Sequence, residues 1–200
     1  MTMAKVSRGF NLFAAAATAT LLTGCISLGG KVPANLIGLT PASSAPAGAM
    51  AGGTLAEALV VLDPDTDRRL DVQRVPVQVN DANIAYLKDA VWVERPARLF
   101  RHLLAETIRA KGGRLVLEGS DSATKGKLTL SGRLIDMGFD ARSASAVVRY
   151  DAMRTDADGR ITVRRFEAVV PGVSPSAAAV GPALNRAANE VAAAVAEWIG

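Results

Sequence analysis

The chain has 200 residues, half of them hydrophobic, with 23 Lys+Arg against 19 Asp+Glu, one histidine and one cysteine. A single cysteine excludes an intrachain disulfide, and beside a single histidine it leaves too few ligands for a zinc site. Residues 1–24 hold Lys5 and Arg8 and no acids, so the formal charge of +4 falls to +2 beyond them, too close to neutral for a nucleic-acid footprint. The roughly 175 residues that remain suffice for one domain with its own core.

Lys5 and Arg8 lead into an apolar run from Phe10 to Leu22, closed by Leu22-Thr23-Gly24-Cys25. A positive start, a short apolar middle and small residues at a cleavage point form a secretory signal. The order Leu-Thr-Gly-Cys resembles the lipobox of bacterial lipoproteins. That resemblance implies a diacylglyceryl group on the Cys25 thiol, cleavage before it and acylation of the new amino terminus. An ordinary signal peptide, or an N-terminal membrane helix with a chance cysteine, is the competing reading. Each buried methylene contributes about 0.8 kcal/mol, so three chains hold a protein on a bilayer without crossing it. No later apolar run reaches the roughly 20 residues that a span requires. Ile26 rather than aspartate follows the cysteine, which by the bacterial sorting rule favours the inner leaflet of the outer membrane, facing the periplasm.

Residues 26–34 and 41–54 are rich in Gly, Pro, Ser and Ala and read as tether. Between them the apolar Leu36-Ile37-Gly38-Leu39 suggests either a first strand or a latch onto the domain. The organisation is then a signal peptide over 1–24, a lipidated terminus and tether over 25–54, and a domain over 55–200. Leu55 to Leu62 predicts a buried strand ended by Asp63-Pro64-Asp65, and alternating Val75, Val77 and Val79 a second, with Pro76 at its edge or start. Ile84-Ala85-Tyr86-Leu87 and Ala90-Val91-Trp92-Val93 are short apolar patches able to pair with it.

Pro96 suits the first turn of a helix. Leu99, Phe100, Leu103, Leu104, Thr107 and Ile108 form its apolar stripe, Arg98, Arg101, Glu106 and Arg109 lie elsewhere on its surface, and Gly112-Gly113 ends it. Leu115-Val116-Leu117 is a short buried strand. Three longer strands follow, Lys127 to Asp136, Ala144 to Thr155 and Ile161 to Val169, with a tight turn at Asp156-Ala157-Asp158-Gly159 making the last pair antiparallel. A final helix spans about Ser176 to Ile199, its stripe formed by Val180, Leu184, Ala187, Val191, Val195 and Trp198. Gly181-Pro182 either kinks this helix or marks its start. The fold class is α/β: a mixed, largely antiparallel sheet with two amphipathic helices, in a single domain after a signal peptide and tether.

This order of elements resembles the ABC-type transport auxiliary lipoproteins. The likeness is densest from Ile84 to Phe100, and continues in Asn185-Arg186-Ala187-Ala188-Asn189-Glu190-Val191-Ala192 and Glu197-Trp198-Ile199. The chain departs from the family's usual aromatic first strand, since Leu36-Ile37-Gly38-Leu39 holds no tyrosine. The resemblance implies a role beside Mce-type lipid transport systems, with Mce-domain proteins and ABC transporter subunits as partners and the lipoprotein at the outer-membrane end. The residues themselves leave open a free-standing periplasmic binding or envelope-structural lipoprotein. They also leave open a homo-oligomer.

An enzyme reading lacks its residues. His102 borders the Leu99–Leu103 stripe as a partly packed surface group, and no Gly-x-Ser-x-Gly elbow positions a serine for it. Asp63-Pro64-Asp65-Thr66-Asp67 starts like a calcium loop but carries Arg68 at the sixth position and Arg74 at the twelfth. No catalytic residue, metal ligand or cofactor is expected. Function then falls to binding, with Tyr86 and Trp92 as the candidate partner contacts in a segment too broken for a long core strand.

Overall fold

The computed structural model describes residues 35–119 and 128–200. The signal segment, Cys25, Ile26 and the first part of the tether lie outside them. In chain order the elements are β1 (Leu59–Leu62), β2 (Asp65–Thr66), β3 (Arg74–Gln78), β4 (Ile84–Val91), α1 (Pro96–Ala110), β5 (Val116–Gly119), β6 (Leu128–Asp140), β7 (Ser145–Thr155), β8 (Ile161–Val170) and α2 (Ala177–Ile199).

The 13-residue β6 organises the sheet. Along one edge it pairs antiparallel with β7, from Thr129 opposite Thr155 to Asp140 opposite Ser145, and β7 pairs antiparallel with β8. Along its other edge three short parallel partners follow one another: β1 at Leu128–Leu130, β2 at Arg133–Leu134 and β3 at Phe139–Asp140. β5 extends the sheet beyond β1 in parallel, and β4 extends it beyond β3 antiparallel. The result is the expected mixed sheet, antiparallel in most of its paired residues, with two helices in one domain.

Both helices cover the same face. α2 lies over β7 and β8 and against α1, and α1 lies over β1 and β5. The period of two in β7 reports this directly: Ala146, Val148, Tyr150 and Ala152 are buried, whereas Val147, Arg149, Asp151 and Met153 on the other face are half-buried. Small residues on both sides, Ala146 and Ala152 on the strand and Ala183, Ala187, Ala188 and Ala192 on the helix, let the layers approach closely. Phe100 meets the buried Tyr150 edge-on, with ring centroids 5.1 Å apart, and the Tyr150 hydroxyl donates to the Ser131 carbonyl at 2.6 Å. α2 starts at the Ser176 cap, whose hydroxyl accepts from the Ala179 N–H. Pro182 therefore sits inside the helix and does not start it.

Several expectations are corrected. The first strand begins at Leu59, because Thr54–Glu57 is a turn in which the Glu57 carboxylate accepts from the Thr54 amide at 2.9 Å and hydroxyl at 3.0 Å. Pro76 lies within β3, between β4 and β6, at a register shift that spares it a ladder donor. Gly138 gives it room, since a Cβ there would stand 2.5 Å from the Pro76 carbonyl oxygen. The first patch and Ala90-Val91 of the second lie on one strand, β4, interrupted at Asp89 by a φ of +56° that aspartate tolerates, and Trp92 follows it as an isolated bridge. Arg101 is 8% exposed rather than a surface residue, because it faces Asp63 at the end of β1 with Nη1 2.8 Å from Oδ1.

Part of the stretch expected as tether contacts the domain. Ile37 bridges in parallel to Trp92, donating to the Val91 carbonyl and accepting from the Val93 amide, both at 2.8 Å. Farther on, Thr40 N–H donates to Asn185 Oδ1 (2.8 Å), Ala42 N–H to Asn189 Oδ1 (2.6 Å) and Ala45 N–H to Glu106 Oε1 (2.8 Å). Asn189 also donates its Nδ2 to the Thr40 carbonyl at 3.0 Å. This is the latch reading of the segment, held by amide side chains that α2 presents one turn apart.

Candidate functional site

Of the three positions singled out from the sequence, Cys25 lies outside the described residues. Tyr86 is half-buried on β4, with the Arg74 guanidinium stacked 4.5 Å from its ring centroid. Exposed Ile84 precedes it on the same strand face, 47% accessible. Trp92 is 0% exposed and belongs to the core, so it offers a partner no surface. It was misplaced because its segment looks broken, yet the break lies at Asp89 and Trp92 itself is fixed by its amide, which donates to the Gln73 carbonyl at 2.9 Å. Of the two aromatics, Tyr86 is accessible and Trp92 is not.

Two polar groupings went unnoticed in the sequence. The first joins α1 to the edge strand β5. Glu118 Oε1 accepts from Arg109 Nη1 at 2.8 Å, its Oε2 pairs with His102 Nδ1, and Arg101 Nε stands 3.4 Å away. Burial pushes the Glu118 carboxyl up, but the hydrogen bond from Arg109 and the charges on His102, Arg109 and Arg101 outweigh it and hold the group below its usual range. A histidine oriented by a carboxylate is half of a hydrolytic site. Here the other ring nitrogen faces the Arg101 guanidinium at 3.4 Å, a cation that can neither take nor give the proton a nucleophile requires.

The second grouping lies on the sheet face that the helices leave uncovered. Residues adjacent across the strands form two charged rungs: Asp136–Arg149–Glu167, and Arg133–Asp151–Arg165. Arg149 Nη1 stands 2.5 Å from Asp136 and its Nε pairs with Glu167. Arg165 grips Asp151 with two bonds of 2.6 and 2.7 Å, and that grip holds the Asp151 carboxyl below its usual range. Arg69 adds itself to Asp136 at 2.6 Å, and Arg142 closes on Asp140 at 2.7 Å and Asp81 at 2.5 Å. Arg69, Arg142 and Arg149 line a shallow depression of about 300 Å³ beside Pro76 and Gly138. Every one of these arginines is already matched by carboxylates, so the depression presents no uncompensated charge to an ionic ligand. Among the described residues no group of three or more His, Cys, Asp or Glu side chains is placed to hold a metal ion.

The described residues thus form a mixed α/β domain, two helices on one face of an eight-stranded sheet, whose polar clusters are paired within the domain. The chain belongs to the ABC-type transport auxiliary lipoprotein component family, whose model matches residues 39–196. That match begins inside the latch, in keeping with the latch being part of the domain. Among solved structures, protein XCC0632 from Xanthomonas campestris, of the DUF330 family, is similar with 19% identity and a TM-score of 0.60, over 84% of this chain and 92% of that one. A second, described as an uncharacterized protein, is 14% identical with a TM-score of 0.63, over 72% and 93%. At these identities the likeness concerns the fold. Comparison with curated proteins gives no match.

Proposed function

We propose that this chain is the membrane-anchored, non-enzymatic auxiliary lipoprotein of an Mce-type lipid transport system, acting as a periplasmic adaptor at the outer membrane. The observation that carries the reading is the family match over residues 39–196, set beside the Leu22-Thr23-Gly24-Cys25 motif immediately upstream. Membership supplies the link to an ABC-type transport system. The Mce partner, the outer-membrane address set by Ile26 and the lipid on Cys25 are the finer parts of the proposal. The self-compensated clusters support a binding role, because nothing in them is left poised for proton transfer or nucleophilic attack. Tyr86, flanked by Ile84 and capped by Arg74, is the partner contact we assign, an aromatic of the kind that anchors interfaces.

The test is affinity capture from membranes, with the native chain, Cys25→Ala and Tyr86→Ala compared. The native chain should carry fatty-acid label, fractionate with the outer membrane and recover Mce-domain and ABC subunits. Cys25→Ala should accumulate as an unlabelled precursor, and Tyr86→Ala should stay lipidated while losing capture. Recovery of no Mce or ABC subunit by the native chain would overturn the transport assignment in favour of a free-standing envelope lipoprotein. Normal labelling of Cys25→Ala would overturn the anchor.

A further inference from the structure

The two rungs on the uncovered face stop at β8, and they stop on opposite charges, Glu167 for one and Arg165 for the other. Val163 and Val169 flank this pair on the same face, 61% and 45% exposed. The open face of β8 therefore presents Ile161, Val163, Arg165, Glu167 and Val169 in turn, and the last four read the same in both directions with their charges exchanged. Among the described residues β8 pairs only with β7, so its second edge offers a row of N–H and C=O groups to another strand. An exposed ten-residue edge with valines on its open face is one that a soluble domain normally protects.

We propose that β8 is the seam of a two-fold dimer of this chain, its free edge pairing antiparallel with β8 of a second copy about Phe166. In that register Arg165 lies opposite Glu167 of the second copy, Glu167 opposite its Arg165, and Val163 opposite its Val169. Each rung then continues without interruption through six alternating charges: Asp136, Arg149 and Glu167, followed by Arg165, Asp151 and Arg133 of the second copy. The contact is self-complementary, as a two-fold interface must be. The charges also fix the register. Sliding the strands by two residues sets Arg165 against Arg165 or Glu167 against Glu167, and a one-residue slip puts the helices of the two copies on opposite faces. The inference stands apart from the transport assignment and does not depend on it.

The test uses the full chain, extracted from membranes in detergent and sized by light scattering and sedimentation. The native chain should be dimeric. Arg165→Glu and Glu167→Arg each set like charges against one another at two symmetry-related contacts and should weaken self-association about tenfold or more. Mixed one to one, the two variants are complementary, acid at both positions against base at both, and the mixture should recover native affinity. Circular dichroism of each variant should show the native fold. As an independent readout, the Val163→Cys/Val169→Cys double variant should form disulfide-linked dimers on oxidation. Its two positions lie roughly 20 Å apart along one strand and cannot bridge within a chain. A native chain that stays monomeric, single variants that dimerise as tightly as native, or absence of the cross-link would each overturn the proposal. Capture of another protein's strand at this edge by a monomeric chain would overturn it as well.

Discussion

Gly132 sits in the middle of β6, opposite Ala152, with a φ of +141°. That region of backbone space is essentially reserved for glycine, and a residue with a side chain is strained there by about 1–3 kcal/mol. A Cβ added at Gly132 would stand 3.0 Å from the Asp151 carbonyl carbon and 3.1 Å from the Ala152 Cα, and closer still to the Asp151 carbonyl oxygen. All three are main-chain atoms of the neighbouring strand, so no side chain can swing aside. The β6–β7 ladder must open, weakening one or two hydrogen bonds worth about 0.5–1.5 kcal/mol each. Alanine also reduces the freedom of the unfolded chain, which returns about 0.4–1 kcal/mol. Gly132→Ala should therefore destabilise the domain by about 2–4 kcal/mol. At this size that is a fall in Tm of about 4–16 °C. Gly159 provides the control, because it has a φ of +83° in the β7–β8 turn but open space where its Cβ would go. Gly159→Ala should cost about 1 kcal/mol or less, the left-handed penalty offset by the same entropy term. Urea titration followed by circular dichroism measures both. Equal losses in the two variants would show that backbone strain alone acts, and would refute the steric argument.

Leu104 is fully buried between α1 and the sheet, so Leu104→Ala should cost about 2–5 kcal/mol in the same titration. A loss below about 0.5 kcal/mol would mark a surface site. The hydrogen bond from Arg109 and the neighbouring cations hold the folded Glu118 carboxyl below the ordinary glutamate range, so the stability it contributes is fully present above that range and is lost as pH falls through its folded value. The urea midpoint should drop through that acid window, and Glu118→Gln should lower stability at neutral pH while flattening the acid slope. An unchanged slope in that variant would show that other carboxylates govern the acid transition.

Local chemistry was legible in the sequence where it decides structure locally. The α1 stripe, Pro96 in its first turn, the Ser176 start of α2 and the Asp156–Gly159 turn all carry their signals within a few residues. The three parallel contacts along β6 do not. β2 is two residues long, and what places it is the length of β6 alongside, some seventy positions away in the chain. Arg101 was misjudged for a related reason: its spacing on α1 marks it as exposed, and only the approach of Asp63 from β1 makes burial tolerable. Trp92 erred the other way. Its segment reads as too broken for a long core strand, whereas the bridge to Ile37 closes the sheet edge beside it. The charged rungs needed the register of β6, β7 and β8, which periodicity cannot supply. Once that register is known, the alternation of Arg149 and Asp151 with buried Val148, Tyr150 and Ala152 is its plain sequence trace.

The latch has a mechanical consequence. With the anchor proposed at Cys25, twelve residue steps separate the bilayer from the first fixed point at Ile37, a contour of at most about 43 Å. Were the latch to peel from α1 and α2 back to Ala58, where the buried core begins, the leash would lengthen to 33 steps, about 110–120 Å. The hydrogen bonds at Ile37, Thr40, Ala42 and Ala45 are arranged in series along the chain, so a pull from the membrane loads Ile37 first and opens them one after another, each resisting with about 0.5–1.5 kcal/mol. Tension between a membrane and a distant partner would thus be met by paying out line in steps, while β1 to β8 and both helices stay folded.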